Sequence, residues 1–269
     1  MKNFEFENWD EGRVQVNQEF TAVLKQNGLT TFNALMDYSG GETAKNVLAE
    51  RVTTRIDLTD TSGASRSFYI KRHTPAPMKE YLKAWSRLRT PLLSARYEWE
   101  AILNFHQVGI STMIPVAFGE KGRYSFLITE SLEDCWKLSH WVRDQQPEEE
   151  QLESVVKQVA EITRKMHSAG MHHQDYYLGH LMLAKNGSPQ TIHVIDLGRV
   201  LKRPRLHERW IVKDLAQLRY SASMLDSRYH DLFVENYFER SKSACDQALL
   251  QRIKRKTEQI ARHSQRHAL

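Results

Sequence analysis

The sequence has almost no cysteine: Cys135 and Cys245, 110 positions apart, are the only two in 269 residues. They form neither a C-x-x-C pair nor a disulfide framework, which excludes a small disulfide-held fold and points to a reducing compartment. Long apolar runs are also missing, and no stretch approaches the roughly 18 residues that a membrane span needs. Residues 1–13 mix acids with aromatics, unlike the basic and then apolar start of a signal peptide. A soluble, cytoplasmic protein is the expectation. There is no internal repeat and no low-complexity segment. With 41% hydrophobic and 26% charged residues, the composition is that of a folded chain, long enough for one or two domains.

The net charge of +5 is unevenly placed. Residues 241–269 hold seven Lys or Arg and two acids, residues 71–96 hold seven and one, and the rest is acidic overall. Such basic segments suit a phosphate-rich partner: a nucleotide, a nucleic acid, an anionic membrane or a phosphorylated glycolipid. The tail Arg252-Ile253-Lys254-Arg255-Lys256 lacks interleaved aromatics for base stacking, so no nucleic acid is expected. Lys79, Lys83, Trp85, Arg87 and Arg89, with Tyr81 among them, raise the hypothesis of contact with an anionic membrane surface. An ordinary solvated helix is the plainer alternative.

Along the chain, residues 46–60 are rich in β-branched types and residues 67–71 repeat the pattern after Thr61-Ser62-Gly63, which reads as a hairpin. Helix follows near residues 94–109, then two strands within 113–130 around Gly119 and Gly122. Pro147 with Glu148-Glu149-Glu150 reads as a helix start with proline at its first position. Leu152, Val155, Val156, Val159, Ile162 and Met166 continue at helical spacing, and Gly170 closes the element. Beyond Trp210 the pattern is helical nearly to the end. The expected fold is α+β in two lobes: an antiparallel-sheet N-terminal lobe with one key helix over 1–130, and a mainly helical C-terminal lobe over 131–269.

Three places could bear chemistry. Lys71 ends an apolar strand, where a snorkelling edge lysine is the ordinary reading. Glu98 shares a helical stripe with Ala101, Ile102 and Phe105, and a carboxylate on a buried stripe needs a cation. Lys71 is the candidate, unless that end of the stripe is simply wet. Third, residues 171–183 leave a helix and enter a strand, and the Asn186-Gly187 turn folds the chain back. Asp175 before this hairpin and Asp196 after it should converge. His172, His173, Asp175, His180 and Asp196 also permit a transition-metal cluster, although their spacing matches no specific zinc pattern.

His173-Gln174-Asp175, His180-Leu181-Met182-Leu183 and Asp196-Leu197-Gly198, with Lys71 and Glu98 upstream, resemble the motif set of protein kinases. The wording of residues 172–180, 194–197 and 209–215, with Phe68-Tyr69-Ile70-Lys71-Arg72-His73 and Ala95-Arg96-Tyr97-Glu98-Trp99, is similar to the lipopolysaccharide core heptose and Kdo kinases, the WaaP family. The resemblance runs from about residue 46 to 220. It implies an ATP-dependent kinase that phosphorylates a heptose or Kdo hydroxyl of the lipopolysaccharide inner core, with ATP and Mg²⁺ as cofactors. Lys71 would hold the α- and β-phosphates, positioned by Glu98. Asp175 would be the catalytic base or orient the hydroxyl, and Asp196 would bind Mg²⁺. Glu130 and Leu132 resemble the hinge whose backbone bonds adenine, and Asp214 the buried aspartate that braces the catalytic loop. The implied partner is the core glycolipid, and the implied location the cytoplasm, with peripheral contact at the inner membrane as the attached hypothesis.

The departures shape these expectations. No G-x-G-x-x-G occurs, and Ser39-Gly40-Gly41 is the nearest glycine pair to the first strands. Gln174 replaces the usual arginine, which removes a pairing site for an activation-loop phosphate. His180 stands where Asn would ligate a second metal, and imidazole suits Mg²⁺ poorly. Thirteen residues between Asp196 and Trp210 leave little platform for a peptide, which favours a small or glycolipid acceptor. A small-molecule kinase of the aminoglycoside or choline type, and a binding-only pseudokinase, are the alternatives.

Overall fold

The computed structural model describes residues 3–48, 51–75, 94–187 and 190–267. The basic stretch with Lys79, Lys83, Trp85, Arg87 and Arg89 lies outside them. The chain divides into two units, Met1–Gln107 with Met113–Glu133, and Val108–Thr112 with Asp134–Leu269.

The first unit is built on a seven-stranded antiparallel sheet of β1 (Phe6–Trp9), β2 (Val14–Asn17), β3 (Gly41–Leu48), β4 (Arg51–Thr59), β5 (Ser65–His73), β6 (Pro115–Lys121) and β7 (Tyr124–Glu130). Its order is β1-β2-β6-β7-β5-β4-β3. Period-two patterning sets the faces. In β4, Thr54, Ile56 and Leu58 are buried while Arg55, Asp57 and Thr59 are exposed. β7 stands in the middle and is covered on both sides, so Phe126-Leu127-Ile128 runs apolar without alternation. Phe68, Ile70, Phe126 and Ile128 face one core with Phe20, Leu24, Phe32 and Leu35 from the N-terminal segment. That segment holds α1 (Thr21–Gln26) and α2 (Phe32–Asp37). The Arg72 guanidinium donates to the Leu35 and Tyr38 carbonyls and ties α2 down. Residues of opposite parity, Lys71 and Leu127, face the other side, with α3 (Arg96–Gln107).

The expected hairpin of residues 46–60 with 67–71 needs one correction. Residues 46–60 are not one strand, because Val47 and Leu48 belong to β3 while β4 pairs with β5 around the turn at Asp60–Ala64. The glycine pair of Ser39-Gly40-Gly41 stands at the start of β3. Gly41 opens β3 opposite Ile56, and a Cβ there would lie 2.4 Å from the Arg55 carbonyl oxygen, so it is a packing glycine.

The second unit has helices α4 (Leu138–Asp144), α5 (Glu149–Ser168), α6 (Glu208–Ser221), α7 (Ser227–Phe238) and α8 (Gln247–His267). A small sheet joins β8 (Cys135–Lys137), β10 (Leu181–Gly187) and β11 (Gln190–Val194), and β9 (Met171–His172) pairs with β12 (Leu201–Lys202). α5 starts two residues later than its proline suggests. The Glu148 carbonyl accepts the first helical bond, from Leu152, so Pro147 lies outside the helix. The basic tail is α8, whose Ile253 packs with Ala160, Leu215, Ala216 and Tyr237, leaving the cations outside. Among the described residues no helix is long and apolar enough to cross a membrane.

Gly170 ends α5 with φ +76°, and a Cβ would sit 2.1 Å from the Arg203 carbonyl oxygen. Gly122, in the β6–β7 turn, has φ +62° and open space around it. Gly170→Ala is expected to cost about 3 kcal/mol, combining a left-handed backbone with a backbone clash, against about 1 kcal/mol for Gly122→Ala. Urea unfolding of the two variants checks the difference.

Candidate active site

The candidate residues fall in both units, and each group is built locally. In the first unit, β5 carries Lys71 on the face that α3 covers. Lys71 Nζ donates to Glu98 Oε1 at 2.5 Å, and Glu98 is only 2% exposed. The α3 stripe of Glu98, Ala101, Ile102 and Phe105 is buried throughout, as its spacing requires. Arg51 adds a second cation, Nη2 to Glu98 Oε2 at 3.3 Å. The β4–β5 register explains it: Thr53 stands opposite Lys71, and Arg51, two residues along, shares that face. Arg51 was legible only to a reader who already had that register.

Glu130 and Leu132 follow at the end of β7. The Glu130 carboxylate pairs with Arg66 at 2.5 Å, and its backbone N–H donates to the Ile114 carbonyl at 3.0 Å. An adenine contact from Glu130 would therefore use its carbonyl.

In the second unit, β9 leads into the loop that bears Asp175. Leu181 pairs with Val194 across the β10–β11 hairpin, and the Ile195 N–H donates to the His180 carbonyl at 2.9 Å, so Asp175 and Asp196 emerge at the same end. Asp214, fully buried, accepts from the backbone N–H of His173 at 2.7 Å and of Gln174 at 2.9 Å, with His167 Nε2 at 3.4 Å. Burial works to raise its pKa, but the His167 hydrogen bond and charge and the His173 contacts outweigh it and hold the carboxyl below the usual range.

The ring nitrogens are also assigned by their partners. His173 Nε2 donates to the Ile195 carbonyl at 3.0 Å, which leaves Nδ1 to accept from the Asp175 N–H at 3.3 Å. Burial pushes this imidazole's pKa down, in keeping with a neutral ring. His180 Nδ1 donates to the Asp175 carbonyl at 2.7 Å, and its Nε2 faces Asp196 Oδ2 at 3.7 Å. The five-residue metal cluster does not form. His172 stacks on Trp210, His173 is spent on the backbone, and no group of three His, Cys, Asp or Glu is arranged for a metal among the described residues. Asp196, about 40% exposed, is a hard oxygen donor that fits Mg²⁺ held mainly by nucleotide phosphates, whereas the His180 nitrogen fits it less well.

Arg199 was missed from the sequence. Its Nη1 reaches both Asp175 oxygens, at 3.1 and 2.9 Å, and fixes the carboxylate's orientation. Gln174 Nε2 in turn donates to the Arg199 carbonyl at 2.6 Å. The only available signal was Arg199's place one residue after Asp196-Leu197-Gly198.

Residues 41–237 match the lipopolysaccharide kinase (Kdo/WaaP) family. The chain is 34% identical to the lipopolysaccharide core heptose(I) kinase WaaP of Escherichia coli, covering 82% of this chain and 88% of that protein. It is 33% identical to the protein of the same name from Pseudomonas aeruginosa, covering 75% and 82%. Among solved structures it is similar to WaaP in complex with acyl carrier protein, with TM-score 0.71 and 30% identity over 92% of this chain and 98% of that one. The expected α+β, protein-kinase-like fold is thereby shared.

His172 is fully buried against Trp210, and neither ring nitrogen has a hydrogen-bond partner among the described residues. Burial first, then Arg203, Lys213 and His167, lower its pKa to about 4 against a raising effect of Asp214. The unfolded ring titrates near 6.5. Below that pH the unfolded chain therefore binds a proton that the folded chain refuses, and stability falls between pH 6.5 and about 4. His172→Phe keeps the stacking and should flatten this part of the stability–pH curve, as measured by urea titrations at pH 7 and pH 5.

Proposed function

The chain belongs to the lipopolysaccharide kinase (Kdo/WaaP) family, and from that membership we propose that it transfers the γ-phosphate of ATP to a heptose hydroxyl of the lipopolysaccharide inner core. The Lys71–Glu98 pair, a half-buried lysine on a buried carboxylate, is the observation that carries an active kinase over a binding-only one. Burying Glu98 without a cation would cost several kcal/mol, and a lysine so held presents its charge in a fixed place. Lys71 would bind the nucleotide's phosphates. Glu130, through its carbonyl, and Leu132 would take adenine.

Asp175 would accept the hydrogen bond of the attacking hydroxyl. Arg199 occupies one side of each carboxylate oxygen, so the acceptor meets a group that cannot rotate. That arrangement suits orienting the hydroxyl, the main demand of a loose phosphoryl-transfer transition state. Asp196 would hold Mg²⁺, which when bound neutralises charge on the β- and γ-phosphates, and His180 is the second candidate ligand. With Mg²⁺ and labelled ATP, detergent-dispersed, under-phosphorylated core lipopolysaccharide should take up label. Asp175→Ala and Asp196→Asn should each lower the rate by roughly 10²–10⁴-fold. Unaltered rates in either variant would refute these roles.

The similar structure holds acyl carrier protein, and one feature of this chain favours the same partner. An apolar cavity lined by Leu152, Val155, Val159, Leu218, Phe233 and Ile253 lies within the second unit. We propose that it receives an acyl chain carried by that protein. Intact-mass analysis of the purified chain should detect the co-purifying partner, and Val159→Trp, which fills the cavity, should release it. Retention by the variant would count against the cavity as the seat.

A further inference from the structure

The segment after Asp196 carries charge that the proposed chemistry leaves unused. From Arg199 to Lys213 there are six Lys or Arg and a single acid, Glu208. Glu208 pairs with Arg252, Arg199 is held by Asp175, and Asp214 is spent on the catalytic loop. Arg203, Arg205 and Arg209 have no carboxylate partner among the described residues. The Arg203 and Arg209 guanidinium groups lie 5.7 and 4.7 Å from the centroid of Trp210, whose other neighbour is the stacked His172 ring at 4.4 Å. Arg203 Nε is buried without an acceptor among the described residues.

This patch is fixed to the catalytic loop. Leu201 pairs with His172, and the Arg203 N–H donates to the Gly170 carbonyl at 2.9 Å, so the patch is joined to the strand that runs straight into His173-Gln174-Asp175. Two guanidinium groups thus lie at one ring, neither paired to a carboxylate among the described residues, and each keeps donors for an anion. The buried Nε also lacks an acceptor that such an anion would supply. The large hydrophobic side chains exposed among the described residues are Tyr124 and Met224, away from this segment in sequence, so the patch offers no side chain to insert into a bilayer.

We propose that Arg203, Arg205 and Arg209, supported by Trp210, form a subsite for an anionic group, a phosphate or a sugar carboxylate, carried by the acceptor oligosaccharide beside the hydroxyl that is phosphorylated. This rests on the kinase reading above and assigns the acceptor side of it. The patch selects the acceptor, while Lys71 in the other unit takes the nucleotide.

The test compares wild type with Arg205→Gln/Arg209→Gln, both exposed positions, and with the triple variant that adds Arg203→Gln. The probe is deacylated core oligosaccharide with its phosphates and carboxylates, beside the same oligosaccharide after dephosphorylation and carboxyl reduction. At low salt the variants should raise the acceptor KM roughly 10- to 100-fold and leave the ATP KM within about twofold. On the neutralised oligosaccharide, wild type and variants should bind equally weakly. An unchanged acceptor KM, or an equal loss on both oligosaccharides, overturns the proposal. So does a defect confined to anionic liposomes or to acyl carrier protein, which would give the patch to a membrane or to a protein. Should wild type transfer no phosphate at all, the kinase reading fails. Calorimetric binding would then decide for the patch alone: preference for the charged oligosaccharide, lost in the variants, sustains it, and equal binding ends it.

Discussion

A buried carboxylate holds the catalytic loop in place. Asp214 lies on α6 with no exposure and takes three donors, two from the backbone of the loop and one from His167. Burying such a charge alone would cost several kcal/mol. Charge-assisted hydrogen bonds of about 1.5–3 kcal/mol each can offset that cost only while all of them are made. Loop geometry is therefore coupled to helix packing. α6 is seated by Leu215 and Ala216 against Ala160, Tyr237 and Ile253, and Tyr237 also reaches His167 Nδ1 at 2.7 Å. A cavity in that apolar layer would be felt at Asp175 through the chain Tyr237, His167, Asp214.

From this brace the loop is cross-linked forward. The His173 ring and the His180 carbonyl both bond the Ile195 backbone just before Asp196, Gln174 holds the Arg199 carbonyl, and the Arg199 side chain holds Asp175. The arginine that Gln174 replaces would have answered a phosphate on an activation loop. Here a neutral amide reaches the same segment directly, and β12 pairs it to β9. Order in this segment comes with folding and needs no modification. A short segment makes this possible, because ordering each residue costs about 1–2 kcal/mol of backbone entropy, and few residues have to be ordered.

What the sequence disclosed depended on the range of each signal. Local periodicity placed Glu98 on a buried stripe, and the Asn186-Gly187 turn brought Asp175 and Asp196 to one end. Non-local register hid Arg51, whose alliance with Glu98 follows from a strand pairing that spacing alone does not fix. The N-terminal segment carries short elements, four residues in β1 and six in α1, too brief for a periodic pattern to stand out. Arg203, Arg205 and Arg209 are hidden for another reason. Net charge divides the chain into two basic blocks and an acidic remainder, and that remainder conceals a strip whose own acids are engaged elsewhere.

That strip bears on a general difficulty of moving phosphate onto an anionic sugar chain. Nucleotide and acceptor repel each other as they close. At an effective dielectric near 20, two unit charges about 8 Å apart cost about 2 kcal/mol, and each has several such neighbours. Neutralising only the nucleotide, the role proposed for Lys71 and a divalent metal, would leave the acceptor's charge uncompensated and its approach opposed. Fixed arginines on the acceptor side lower the cost for acceptors that bring an anion, and leave neutral sugars with only the desolvation of those guanidinium groups. Selectivity for a charged core oligosaccharide then arises from the same electrostatics that the transfer has to overcome. The cations proposed to provide it begin at Arg203, tethered beside the two-residue strand that delivers Asp175.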